Sequence, residues 1–414
     1  MWLESSRRRA ITSVVWVRGC IVLALFGSIV SFAGAAGAGS WRSVAPLPVK
    51  RAYHTATLLM DGRVLAAGGT VGGTSGHASS VIYDPTTNVW TATGSLIQGR
   101  DSHSATQLAD GRVMVSGGAR FSRGFWFALG SAEIYDPTTG RWASTGSLSA
   151  PRRGHTATLL RDGRVLALGG QNENALYIGA VEIYDPATGA WTRVGTMPAP
   201  SLGHTATLLP SGEVLVVGGS NDGGVLSSAH LYDPATNRWT YAGDVGQRAG
   251  HTATVVPSPS GGVVLVAGGG AGSPLASALG YALNGSGWRQ AATMNAAHSG
   301  HFAVRLGGGR VLVAGGFRPP PPELYDAASD RWTIDAAQPM IFGPAVALLD
   351  GTVLVAGGID NQVGNYTREA YVYVPDAWPL ATLTREVPAL SGVPLLTLAA
   401  LLAVLAIVGG RMRR

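Results

Sequence analysis

Cysteine is almost missing from these 414 residues: Cys20 is the one present. A disulfide within the chain, a cysteine-based zinc site and a cysteine–tyrosine crosslink are therefore excluded beyond it. Charge is scarce as well, at 13% against 46% hydrophobic residues, which excludes a chain held disordered by its charge. The 59 glycines follow no every-third-residue period, so a collagen-like rod is excluded too. Nor does the net charge of +6 signal nucleic acid. Residues 1–38 hold +3 of it, the last four residues another +3, and everything between is neutral, while phosphate binding needs a basic stripe on the folded domain. What is abundant is glycine in an apolar background, which suits a turn-rich all-β chain.

Both ends read as targeting segments. Arg7, Arg8 and Arg9 precede an apolar stretch over residues 21–30 and the cleavage-type triplet Ala36-Gly37-Ala38. That order describes a secretory signal peptide over residues 1–38, with an uncleaved N-terminal anchor as the alternative. Cys20 follows Arg18-Gly19 rather than the small uncharged residues of a lipid-acceptor site. Residues 377–392 form a linker with the motif Val387-Pro388-Ala389-Leu390. Residues 393–414 continue as an apolar run, closed by Arg411, Arg413 and Arg414. The run is long enough to span a bilayer with the arginines held inside. This tail resembles bacterial sorting tails of the Ile-Pro-Thr-Leu class. The expectation is an exported protein, at the cell surface or membrane-anchored and facing the periplasm or exterior.

Between the ends lies a seven-fold repeat. Tryptophans fall at Trp41, Trp90, Trp142, Trp191, Trp239, Trp288 and Trp332. Diglycines begin with Gly68-Gly69, Gly117-Gly118, Gly169-Gly170 and Gly218-Gly219 and recur at 268, 315 and 357. Tyr83, Tyr135, Tyr184 and Tyr232 follow them, then tyrosines at 281, 325 and 373. Each unit reads as four strands. In the third, His155-Thr-Ala-Thr-Leu-Leu160 leads through Asp162-Gly163 into an apolar strand ending at Gly170. Val181-Glu-Ile-Tyr184, the turn Asp185-Pro186-Ala-Thr-Gly189 and a strand opened by Trp191 complete it. Asp162-Gly163 is expected to be a two-residue hairpin turn with φ > 0 at both positions. Gly189 is expected to be left-handed, with Asn88, Gly140 and Asn237 in its place elsewhere.

The order His-Thr-Ala-Thr, Gly-Gly, Tyr-Asp-Pro, Trp resembles kelch repeats and covers residues 41 to about 375. The Trp-Asp dipeptide of the competing WD40 repeat is absent. The resemblance implies an all-β, seven-bladed β-propeller over residues 39–376, with signal and transmembrane segments on either side. Within it the glycines would let neighbouring blades approach, and Tyr and Trp would fill the wedges between them. The strand from Trp41 to Leu47 mimics a fourth strand and is expected to complete the last blade.

Function is sought in the loops joining second to third strands, which share a face with those joining fourth to first. Arg120-Phe-Ser-Arg-Gly-Phe-Trp-Phe127 concentrates aromatics and arginines that the other loops lack. Arg120, Arg123, Phe125 and Trp126 are the candidate ligand-binding residues, with Tyr177 and Tyr366 beside them. The alternative is that Phe125 and Phe127 tuck beneath the loop. The histidines at 54, 103, 155, 204, 251 and 301 recur once per unit, too far apart for one metal, and are expected to bond backbone between blades. No metal and no cofactor is expected, and no catalytic residue is assigned. Galactose-oxidase-like enzymes share the kelch propeller, but their copper-radical site needs the cysteine that this domain lacks. Glu173, Asp222, Asp360, Glu369 and Arg123 are acid–base candidates joined by no motif. The reading is a surface-anchored binding module for a carbohydrate or protein, touching the membrane through its C-terminal segment. The alternative is an exported carbohydrate-active enzyme.

Overall fold

The second strand of each unit is an unbroken apolar run, and the fold buries it on both faces. Val64–Ala67, Val165–Leu168 and Val214–Val217 are buried at every position. Their first-strand partners, such as Thr55–Leu58 and Thr156–Leu159, are half-buried throughout, as small and β-branched residues against a neighbour allow. In a computed structural model the chain is described over residues 39–376, except 72–75, 123–124, 258–260, 317–318, 340 and 363. The expected signal peptide and C-terminal segments lie outside these residues. Among the described residues no helix is long and apolar enough to cross a membrane, and a 3₁₀ turn at Gly307–Gly309 is the one helical element.

Six antiparallel four-stranded sheets follow one another with strands in chain order. The seventh takes its outermost strand from the start of the domain: Ser40–Val44 pairs Tyr366–Val374, from Ser40 opposite Val374 to Val44 opposite Ala370. The inner strands neighbour each other in a closed ring, the seventh meeting the first. The chain is thus an all-β, seven-bladed propeller sealed by its N-terminal strand. Seven apolar clusters hold it, each drawn from two successive blades. One joins Leu65 and Ile82 of the first blade to Val113, Tyr135 and Trp142 of the second. The cluster at the seal joins Val44, Leu354 and Val372 to Val64, Tyr83 and Trp90.

The repeat residues tie blade to blade. Tyr83 and Trp90 rings lie 5.0 Å apart and Tyr184 and Trp191 rings 5.3 Å apart. The Tyr135 hydroxyl bonds Thr93 of the preceding blade at 2.7 Å, and Trp90 Nε1 donates to the Ala45 carbonyl at 2.8 Å. A β-carbon on Gly68 would lie 2.6 Å from the Arg100 carbonyl and 2.8 Å from Cε1 of His103, both in the next unit. Only glycine lets the loop entering the next blade come so close.

One turn differs from expectation. Gly163 is left-handed at φ +85°, but Asp162 is not among the residues of positive φ. Gly163 N donates to the Leu160 carbonyl at 3.1 Å and Leu160 N to the Arg164 carbonyl at 2.8 Å. This is a four-residue turn that ends on a left-handed glycine, the longer hairpin loop with a bulge. Asp162 instead accepts the Arg164 N–H at 3.0 Å and its Nε at 2.7 Å. Gly189, Asn88, Gly140 and Asn237 are left-handed, at φ +70°, +56°, +67° and +57°.

Candidate functional site

The aromatic segment is a two-stranded ribbon. Ala119–Ser122 pairs Phe125–Ala128, with Arg120 opposite Phe127 and Phe121 opposite Trp126. Opposed pairs alternate between faces, so each face carries its own contact. Phe121 and Trp126 rings lie 5.3 Å apart, and the Arg120 guanidinium carbon sits 5.7 Å from the centre of the Phe127 ring. Phe125 is 70% exposed, Trp126 41% and Phe127 38%. None is tucked beneath the loop. Arg123 lies outside the described residues. Neither strand of the ribbon pairs with a blade.

The ribbon is rooted at the mouth of the axial channel. Asp101 N donates to the Ala119 carbonyl at 2.9 Å and Ala119 N returns to the Asp101 carbonyl at 2.8 Å. Asp101 is buried, with Oδ1 accepting the Ser102 hydroxyl at 3.0 Å and Oδ2 without a partner. Burial pushes this carboxyl up to about 6, against the Ser102 hydroxyl and the field of Arg153. Beside it the backbones of successive units join around the axis. Ser102 N donates to the Tyr53 carbonyl, Gly154 N to Ser102 and Gly300 N to Gly250, at 2.9, 2.9 and 2.8 Å. Gly154, Gly203, Gly250 and Gly300 have φ between +63° and +70°, yet Tyr53 and Ser102 adopt φ +55° and +50° in the same ring. Between Tyr53 and the sixth and seventh units a cavity of about 340 Å³ opens, lined in part by His54, His301, Phe302, Phe342 and Pro344.

Tyr366 is half-buried at the start of the strand Tyr366–Val374, and its hydroxyl and Asp101 both push the Tyr53 phenol up, after burial. Tyr177 is half-buried against Gln171 on another blade. The ribbon and Tyr366 thus belong to the mouth, whereas the acid–base candidates do not converge. Glu173 and Asp222 are exposed on separate loops, and the Asp360 carboxylate caps its own turn through Gln362 N at 2.8 Å. Glu369 is half-buried on the strand Tyr366–Val374.

The six histidines are all buried, and five of them bond side-chain hydroxyls of a neighbouring unit. His103, His204, His251 and His301 each hold the threonine opening the preceding unit's inner strand, at 3.0 to 3.1 Å. His155 takes the Ser116 hydroxyl at 3.0 Å. Burial, aided by Arg152, His204 and Arg100, holds His155 down at about 3. Among the described residues no three His, Cys, Asp or Glu side chains are grouped to hold a metal ion.

Sequence reasoning missed Tyr53, Asp101 and Phe342. Their signal was available as breaks in the repeat: Tyr53 and Phe342 stand where most units have glycine, and Asp101 where Ala52, Leu202 and Ala249 stand.

These features define a seven-bladed propeller with a loop-bearing face around its axial mouth. Residues 143–316 are similar to the KLHDC2/KLHL20/DRC7 Kelch-repeats domain. No curated protein matches the chain in sequence. Among solved structures, a fungal alcohol oxidase of the AA5 family in complex with copper is 18% identical, with a TM-score of 0.66 over 82% of this chain and 77% of that one. The structure of YjhT is 16% identical, with a TM-score of 0.54 over 71% of this chain and 99% of that one. At these identities the likeness is one of fold.

Proposed function

We propose that this propeller is an exported, surface-anchored binding module whose carbohydrate or protein partner docks on the loop-bearing face. The observation that carries this reading is the ribbon of residues 119–128. It exposes Phe125, Trp126 and Phe127 on a rigid root rather than burying them. Aromatic side chains standing proud with an arginine beside them stack on sugar rings or anchor protein partners at little entropic cost. Kelch propellers commonly bind proteins, which supports the same face as the contact surface. Export and anchoring rest on residues 1–38 and 377–414 of the sequence.

The test uses the full chain on a glycan array and as bait for extracellular proteins, beside the double variant Phe125→Ala, Trp126→Ala. A hot-spot anchor costs about 2 kcal/mol on truncation, roughly thirtyfold in affinity. Because both rings are exposed, the melting temperature should stay unchanged. Undiminished binding by the double variant would overturn the reading.

One observation favours a carbohydrate-active enzyme as a second reading: the buried Asp101 carboxyl, pushed up to about 6 at the channel mouth. Turnover of an oligosaccharide that disappears in Asp101→Asn while binding persists would support it. Neither reading invokes the alcohol oxidase's copper: among the described residues no three His, Cys, Asp or Glu side chains are grouped, and the one cysteine, Cys20, lies outside them.

A further inference from the structure

The ribbon of residues 119–128 leaves one edge without a partner. Ala119 uses its backbone N–H and carbonyl on Asp101, so its pairing with Ala128 exchanges no hydrogen bonds. Bonded and open pairs alternate along an antiparallel ladder. Leu129 N accordingly donates to the Gly118 carbonyl at 2.8 Å, Arg120 with Phe127 forms a bonded pair, and Phe121 with Trp126 forms the next open one. The N–H and carbonyl of Trp126 therefore point away from the ribbon. No described residue bonds them, and neither ribbon strand joins a blade.

Exposed edges are ordinarily blunted by a charge, a proline or a bulge. Phe125–Ala128 has none of these: it reads Phe-Trp-Phe-Ala, and its register against Ala119–Ser122 is unbroken. Aromatic residues also favour strand pairing. The two faces of the ribbon differ. Arg120, Ser122, Phe125 and Phe127 share one, while Phe121 and Trp126 share the other. Arg120 is exposed and makes no ion pair among the described residues. Its guanidinium carbon lies 5.7 Å from the centre of the Phe127 ring, so the cation is drawn over the outer strand. A residue pairing with Phe127 from outside would stand one strand spacing beyond, about 4.8 Å.

We propose that an extended peptide of a protein partner adds to this edge as a third strand, with acidic residues on the Arg120 face and apolar ones beside Trp126. The proposal rests on the docking function assigned to the ribbon and specifies the partner's form. Main-chain bonds to Trp126 supply affinity, and the alternating faces supply specificity. A second copy of the chain would extend the ladder but bring another Arg120 where a carboxylate is needed. A sugar would stack on the rings and leave the edge unbonded.

The test titrates the full chain with a blocked heptapeptide of alternating valine and glutamate, read by calorimetry and by exchange of the Trp126 amide. Residues opposite Trp126 share its face, so the valines supply the N–H groups that bond the edge. The parent peptide should bind and slow exchange at Trp126. N-methylation of every valine should weaken binding at least about tenfold, the worth of one or two hydrogen bonds. N-methylation of every glutamate, whose N–H groups face solvent, should change it less than about twofold. Lysine in place of glutamate should weaken it several-fold. Trp126→Ala and Trp126→Pro remove the same ring, but only proline removes the outward N–H, so the proline variant should bind roughly fivefold more weakly than the alanine one. Both should share one melting temperature, since the ribbon stands apart from the blades.

No binding of the parent peptide at millimolar concentration, indifference to the position of the methyl groups, or equal binding by the two Trp126 variants would each overturn the proposal. So would a glycan ligand without peptide binding, or self-association of the chain that Trp126→Pro abolishes. Those results leave ring-mediated docking standing, whereas undiminished docking by Phe125→Ala with Trp126→Ala removes that function itself.

Discussion

A methyl group added at Gly169 would lie 2.5 Å from the Ser201 carbonyl and 2.4 Å from Cε1 of His204, on a backbone at φ +63°. One added at Gly163 would meet nothing within 4 Å, although φ there is +85°. The two positions separate conformational cost from steric cost. Gly163→Ala should lose about 1–2 kcal/mol, the left-handed penalty alone. Gly169→Ala adds overpacking of about 1–3 kcal/mol and should lose roughly twice as much. Urea titration of both variants checks this, and equal losses would mean that the blades can part without cost. Diglycines recurring once per unit were legible in the sequence because each serves the same approach. Tyr53 was not, because its meaning lies in being different from Gly154 and Gly203, and that difference matters only once the units stand side by side around an axis.

At the scale of the element, the loops entering two of the blades are fastened from inside by Arg–Glu pairs that the sequence hides. Arg152 Nη2 meets Glu182 Oε1 at 2.6 Å with both side chains fully buried. Glu182 also accepts the Ser149 N–H at 2.6 Å, and Arg152 Nη1 donates to the Ala180 carbonyl at 2.9 Å. Arg100 and Glu133 repeat the arrangement at 2.8 Å. Removing one partner leaves a buried charge without compensation, so Arg152→Met should cost about 3–5 kcal/mol, and adding Glu182→Leu should recover much of it. A double-mutant cycle read by thermal melting checks both halves. A glutamate inside the strand Ala180–Asp185 was visible as an oddity, but its partner lies 30 residues away and nothing local links them. The four-strand order, the places of the turns and the closing strand were legible because apolar runs, Asp-Gly and Asp-Pro steps and tryptophans recur in fixed order, whereas the type of the Asp-Gly turn was not. The aromatic segment was legible by composition, its ribbon form was not, and the cavity was invisible because it opens between units that only the closed ring brings together.

For the molecule as a whole, closure and protonation set the limits of stability. Deleting residues 39–49 removes Trp41, whose ring lies 5.1 Å from that of Tyr373, and bares the edge of Tyr366–Val374. That should cost about 3–5 kcal/mol or more, near the full stability of many domains, and unchanged melting and solubility would refute it. Protonation acts on six of the seven blades at once. His54, His155, His251 and His301 are held at about 3 and His204 at about 4, against an ordinary 6.5, chiefly by burial, and His103 is shifted the same way. A folded-state value below the unfolded one means that stability is complete above pH 6.5 and falls away as pH drops toward 3 to 4. Each histidine contributes about 1.4 kcal/mol per pH unit on that descent. Acid unfolding should therefore be steep and begin below about pH 6, which circular dichroism against pH will show; a gradual transition confined below pH 4 would contradict the burial of these rings. The seal has a mechanical side as well. Ser40 stands opposite Val374 in an antiparallel pair, so a load applied through the two ends of the propeller pulls on neighbouring strand ends from the same side. Its hydrogen bonds, lying across the strands, would then open one after another like a zip rather than share the load in shear. A tether attached to only one end avoids that weakness, because its tension runs into a single strand and never pries the pair apart.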